Sequence, residues 1–140
     1  MKLAILLTTL LTAATVIAAD KVTFVSHEKM NAALAKSDTV ITAPDLQVQG
    51  SFRNGTGQAE LHDKETDVFY IVEGEATFVT GGKMVGAKVT APGQTRAPDM
   101  QGGEAHHLTK GDVIVVPAGT PHWFKEVPKS VSYYVVKVLK

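Results

Sequence analysis

Hydrophobic and polar residues alternate along most of this chain. In residues 46–53, Leu46, Val48, Gly50 and Phe52 interleave with Gln47, Gln49, Ser51 and Arg53, the period of two that gives a strand one apolar and one polar face. Asn54-Gly55 then signals a turn. Residues 68–72 form a short apolar run closed by Glu73-Gly74, and residues 76–80 are expected as its hairpin partner. Residues 113–116 form a second run, closed by Pro117-Ala118-Gly119. Residues 131–139 make a long terminal strand, apolar on both sides around Tyr133 and Tyr134. Residues 21–25 also alternate and read as an edge strand. One stretch has helical spacing instead: Ser26 suits an N-cap, Glu28 the first turn, and Met30, Ala33 and Leu34 share a face that ends at Ser37-Asp38. Between Gly81 and Gly103 the rhythm lapses among Gly-Gly, Pro-Gly and proline, so a long loop, a candidate lid, is expected there. Many short strands with Gly-rich turns and one short N-terminal helix specify an all-β, antiparallel sandwich or barrel.

Lys2 is the only charge before Asp20, and the apolar run between them ends in the small residues Ala18 and Ala19. This is the pattern of a secretory signal peptide, and it is shorter than the roughly 20 apolar residues of a spanning helix. The expected organisation is a signal peptide at 1–19, a strand and helix at 20–44 and one barrel domain at 45–140. Such a protein is secreted or periplasmic, with no membrane association after cleavage. The 140 residues suit one domain, and 44% apolar with 20% charged residues excludes disorder and coiled coil. Basic and acidic residues balance at 14 each, which removes the electrostatic case for a nucleic-acid partner. Cysteine is absent, and with it disulfides, thiolate metal sites and cysteine nucleophiles.

The candidate chemistry lies in residues 60–74 and 111–124. Residues two apart on a strand share a face, so Glu60 and His62 project together. Asp67 starts what reads as the neighbouring strand, and His122 begins another with Phe124 on its own face. If these strands line one sheet, two imidazoles and one or two carboxylates converge inside a barrel. Such a mixture suits a divalent transition ion with open coordination positions. Asp67 equally suits a turn cap, and Glu60 a solvent-facing position. His106-His107 reads as a surface pair, and His27 as a solvated residue of the first helical turn. Phe69, Ile71 and Phe124 share faces with the ligand candidates, whereas Trp123 points the other way.

The two stretches resemble the paired motifs of the cupin superfamily, small germin-like β-barrels. The second motif, Gly-x5-Pro-x-Gly-x2-His-x3-Asn, is matched by Gly111, Pro117, Gly119 and His122, with Glu126 at the asparagine position. The first, Gly-x5-His-x-His-x(3,4)-Glu-x6-Gly, is matched at His62 and Gly74. Glu60 stands at its first histidine and Asp67 at its glutamate. Over about residues 45–139 the resemblance implies an antiparallel double-stranded β-helix (a jelly-roll, or cupin, barrel). It implies metal ligation by His62 and His122, with Asp67 and Glu60 in matching positions, and Glu60 as general base if it does not ligate. The donor types favour iron, manganese or zinc, and copper remains open on affinity. The implied function is a metal-dependent enzyme, oxidoreductases among its relatives, acting on a small extracellular molecule such as a sugar, a polysaccharide fragment or an aromatic acid. A non-catalytic ligand- or metal-binding module is the alternative, and a structural dimer with a vestigial pocket a third. A homodimer is expected on family grounds, because the terminal strand would leave an apolar edge exposed in a monomer.

Overall fold

Residues 21–140 are described in a computed structural model, so the expected signal peptide lies outside the described residues. The chain runs α1 (His27–Lys36), β1 (Thr39–Thr42), β2 (Leu46–Arg53), β3 (Ala59–His62), β4 (Glu65–Thr80), β5 (Lys83–Val85) and β6 (Lys88–Ala91). It continues β7 (Gln94–Ala97), β8 (Asp99–Gln101), β9 (Glu104–Thr109), β10 (Val113–Val116), β11 (His122–Glu126) and β12 (Val131–Leu139). The pairings among these strands are antiparallel. One sheet runs β1-β2-β12-β4-β10, the other β9-β4-β11-β3-β7-β6, and the long β4 belongs to both. Phe69, Ile71, Phe78, Phe124, Tyr133 and Val135 fill the space between the sheets. Phe78 and Phe124 meet edge-on at 4.7 Å, and Phe124 stacks on Tyr133 at 4.8 Å.

The helix forms as its caps predict. The Ser26 hydroxyl accepts from the Lys29 N–H, and Ser37 closes the last turn in the left-handed conformation with its own N–H on Ala33 O. Ala33 and Leu34 pack on the outside of β2 at Gly50, where a Cβ would lie 2.6 Å from the Leu34 nitrogen. The apolar face of β2 therefore lies under the helix. Its polar face, Gln47, Gln49, Ser51 and Arg53, points into the barrel and lines a cavity.

Several expectations are corrected. Residues 68–80 are not a hairpin: β4 passes straight through Gly74 and exchanges partners there. Beside a bulge opposite Ser132 and Tyr133, Gly74 takes φ +83° against the Ser130 carbonyl. This bends the strand from one sheet into the other rather than reversing it. Residues 21–25 form no strand, for they find no partner and leave Val22 and Phe24 exposed. Residues 81–103 are not a long loop. They form β5 to β8, with β6 and β7 extending the second sheet and β5 and β8 forming a ribbon. That ribbon sets Met84 and Met100 over Ala59, Val79, Ala97 and Trp123 on the sheet's outer face. Because β6 is exposed along its whole length, no alternation of burial marks it in the sequence. Finally, β12 is not an edge, since it pairs with β2 on one side and β4 on the other.

The Gly74 hinge gives a direct test. Gly74→Ala forces a side chain into a left-handed backbone and against the Ser130 carbonyl, so it should cost about 2–4 kcal/mol of stability in urea unfolding. An unchanged midpoint would contradict this account of how β4 serves two sheets.

Candidate metal centre

Four side chains from three strands point at one place inside the barrel. Glu60 and His62 stand two apart on β3, so they share a face, and His122 opens β11 directly opposite Glu60. Asp67 lies on β4 in the facing sheet, not on the adjacent strand that the sequence suggested, because β11 intervenes between β3 and β4. The barrel's curl brings Asp67 Oδ2 within 3.4 Å of His62 Nε2 and 3.5 Å of His122 Nε2. Glu60 Oε2 lies 3.8 Å and 4.0 Å from the same two nitrogens. The imidazole centroids are 5.2 Å apart. His62, His122 and Asp67 are buried, and Glu60 is partly open to the cavity.

Each of these groups is held from behind, in three cases by its cross-strand neighbour. His62 pairs across the ladder with Gln94, Glu60 with Arg96 and Asp67 with Lys137. The Gln94 amide donates to Glu65 Oε1 at 2.7 Å, which turns its own carbonyl oxygen onto His62 Nδ1. That oxygen only accepts, so Nδ1 carries the proton and Nε2 presents a bare lone pair. His122 Nδ1 donates to the Thr120 carbonyl at 3.1 Å, with the same consequence. Lys137 Nζ donates to Asp67 Oδ1 and Glu65 Oε2, both at 2.9 Å, and Arg96 lies 3.0 Å from Glu60 Oε1.

The electrostatics agree. Burial pushes the His122 imidazole below its usual value, against the Thr120 carbonyl and Asp67, and so keeps it neutral. Burial opposes both charges of the Lys137–Glu65 pair, but contact with Lys137 holds the Glu65 carboxyl below its ordinary range. Asp67 and Glu65 likewise hold the Lys137 ammonium above its own.

His62 Nε2 and His122 Nε2 are buried and have no hydrogen-bond partner. Burying such an atom unpaired costs about 1–3 kcal/mol. Two donors each about 2.1 Å from a single ion lie roughly 3.0–3.4 Å apart, and the separations from Asp67 Oδ2, 3.4 and 3.5 Å, lie at the wide end of that range and just beyond it. The residues therefore fit a divalent ion. Glu60, His62 and His122 form one compatible group, and His62, Glu65 and Asp67 another.

A model of the family named cupin matches residues 13–138 of the sequence. The chain belongs to the cupin family. Solved structures agree at the level of fold. A Bacillus halodurans protein is 16% identical with a TM-score of 0.61, covering 84% of this chain and 81% of its own. A Klebsiella pneumoniae protein with a double-stranded β-helix domain is 15% identical with a TM-score of 0.51, covering 72% and 69%. The cupin domain of Schizosaccharomyces pombe Cnp3 is 11% identical with a TM-score of 0.54, covering 74% and 59%. No curated protein sequence matches this chain. In this cupin, the two ligand positions that depart from the family's first motif, Glu60 and Asp67, carry carboxylates aimed at the histidines.

The other candidates fall elsewhere. Phe69 lines the cavity, Ile71 and Phe124 are core, and Trp123 packs under the outer ribbon. His106 bonds the Thr80 hydroxyl, His107 is exposed beside Glu75, and His27 bonds Asn31 on the helix surface. Sequence reasoning missed Glu65, Gln94, Arg96 and Lys137. The one available signal was Lys137, a lone charge in an otherwise apolar terminal strand. Removing the amide that orients His62, as Gln94→Leu, should weaken binding of cobalt(II), added as a probe, by about 10–100-fold with the fold retained. Unchanged cobalt affinity in a competition titration would show that Gln94 does not set the imidazole.

Proposed function

We propose that this cupin is an exported, metal-dependent enzyme acting on a small polar molecule. The observation that carries the reading is the pair of buried imidazole nitrogens without partners, beside two carboxylates at the floor of a cavity of about 320 Å³. His62 Nε2, His122 Nε2 and Asp67 Oδ2 would hold the ion, and Glu60 Oε2 would either complete the set or take up a proton from a bound molecule. A divalent transition ion supplies a Lewis acid, an acidified water or a redox centre. Gln94 and Thr120 keep the imidazoles in the ligating tautomer, Lys137 orients Asp67, and Arg96 orients Glu60. The family leaves iron, manganese, zinc and copper as candidates. The mixed nitrogen and oxygen donors, with no thiolate, suit iron, manganese and zinc best.

A second reading, a cupin that holds an ion and a ligand without turnover, is favoured by Arg96. Its guanidinium occupies one oxygen of Glu60, the carboxylate most available for proton transfer. Oxygen consumption and hydrolytic assays on metal-loaded protein separate the two readings. Elemental analysis tests both: protein recovered from the medium or periplasm should carry about one transition ion per chain. A His62→Ala/His122→Ala double variant should carry none. A wild type holding no more metal than that variant would overturn the proposal.

The expected homodimer also remains a proposal, on new grounds. The apolar edge has gone, but the outer face of the first sheet exposes Tyr70, Val113, Val115 and Val138, the kind of patch that a second copy covers. Sedimentation at micromolar concentration should give a dimer that Val115→Lys dissociates, and a monomeric wild type would contradict it.

A further inference from the structure

The cavity that opens over the metal centre contains a second built feature, at Arg53. Six charged side chains line this cavity: Glu60, Glu65 and Asp67 against Arg53, Arg96 and Lys137. Arg96 is paired with Glu60, and Lys137 with Glu65 and Asp67. Among the described residues, Arg53 has no carboxylate within ion-pair distance.

Arg53 is nevertheless held firmly. Its Nε donates to the Tyr133 hydroxyl at 2.9 Å, and its guanidinium carbon lies 5.0 Å from the centre of the Phe124 ring. Its end rests against Gly57, where a Cβ would stand 2.5 Å from Nη1. Gly57 is itself pinned, its N–H on Phe124 O and its carbonyl on the Trp123 indole. The Tyr133 oxygen accepts from Arg53, and the neighbouring Ser51 hydroxyl is its other hydrogen-bonding partner, so one hydroxyl proton of the Tyr133–Ser51 pair is left for a ligand. Burial raises that phenol above its ordinary range, so it stays protonated as a donor. A planar fork of N–H groups beside an O–H, on a cavity wall and without a carboxylate of its own, is a receptor for an oxyanion.

We infer that the ligand of this cavity is a small carboxylate that also carries hydroxyl or carbonyl oxygens, its acid group seated on Arg53 and Tyr133. The inference rests on the metal-centre reading for its second anchor. Three carboxylates against three cations leave the cavity neutral, so an ion of charge two makes it positive and favours an anion over a neutral sugar. A carboxylate fits better than a phosphate. The seat offers one bidentate fork and one hydroxyl, not the array of backbone N–H groups that usually cradles phosphate. Gln47 and Gln49 line the wall between the seat and the ion-binding end and present amides to the remaining oxygens. The last glycine of the Gly55-Thr56-Gly57 stretch makes room for the guanidinium.

Calorimetry on zinc-loaded protein tests this with D-gluconate, L-malate, inorganic phosphate and sorbitol, the uncharged counterpart of gluconate. At least one of the two carboxylates should bind about tenfold or more tighter than sorbitol and phosphate, the scale of charge-assisted hydrogen bonds. Arg53→Gln should remove that preference. So should Gly57→Ala, which displaces the guanidinium while leaving its charge. Zinc content should stay unchanged in both variants, and each should still unfold in one cooperative transition. No preference for either carboxylate over sorbitol, a preference for phosphate, or wild-type binding in both variants would overturn the inference. Zinc content is read separately. Protein that holds no zinc yet prefers carboxylates through Arg53 refutes the metal reading and leaves the seat standing. Zinc-loaded protein without the preference does the reverse.

Discussion

Two imidazole nitrogens, His62 Nε2 and His122 Nε2, are buried and aimed at each other's surroundings with no hydrogen-bond partner. That arrangement is unfavourable by itself, and every neighbouring group maintains it. Gln94 and the Thr120 carbonyl take the opposite ring protons, so neither imidazole can turn to satisfy itself elsewhere. Asp67 and Glu60 stand close by, each with one oxygen occupied by a cation and the other free toward the histidines. A divalent ion at these atoms would turn the desolvation penalty of the two imidazole nitrogens into bonds, and an empty site leaves it uncompensated.

The fold supplies this constraint through β4. Because that strand serves both sheets, Asp67 on its first half faces Glu60 and His62, which stand on the sheet that its second half joins. Gly74 makes the passage possible, and the aromatic packing of Phe69, Phe78, Phe124 and Tyr133 beneath the centre keeps the distance between the sheets fixed. The turned-in polar face of β2 then makes the space above the centre a wet, charged cavity instead of more core. Binding site and barrel interior are thus the same volume, filled with hydrocarbon at one end and polar groups at the other.

Much of this was legible beforehand, and the limits follow from physics. The helix carries its own caps, β2 carries clear alternation, and β10 and β12 are apolar runs, so local patterning located them. The turn at 73–74 was misread because a glycine with positive φ serves a bulge as readily as a reversal. Residues 81–103 were misread because exposed strands and a ribbon held by two methionines leave no periodic trace. The polar face of β2 was legible but its direction was not, since periodicity separates two faces without saying which one points inward. At the site, spacing and family motifs picked out Glu60, His62, Asp67 and His122. Their supports, Gln94, Arg96 and Lys137, are cross-strand neighbours, and neighbours across a ladder become visible only once the register is known.

The most direct check is X-ray absorption at the zinc edge on protein loaded with one equivalent of zinc. The account predicts a first shell of nitrogen and oxygen at about 2.0–2.1 Å, with the outer-shell scattering of two imidazoles. A shell of water oxygens without imidazole scattering would contradict it.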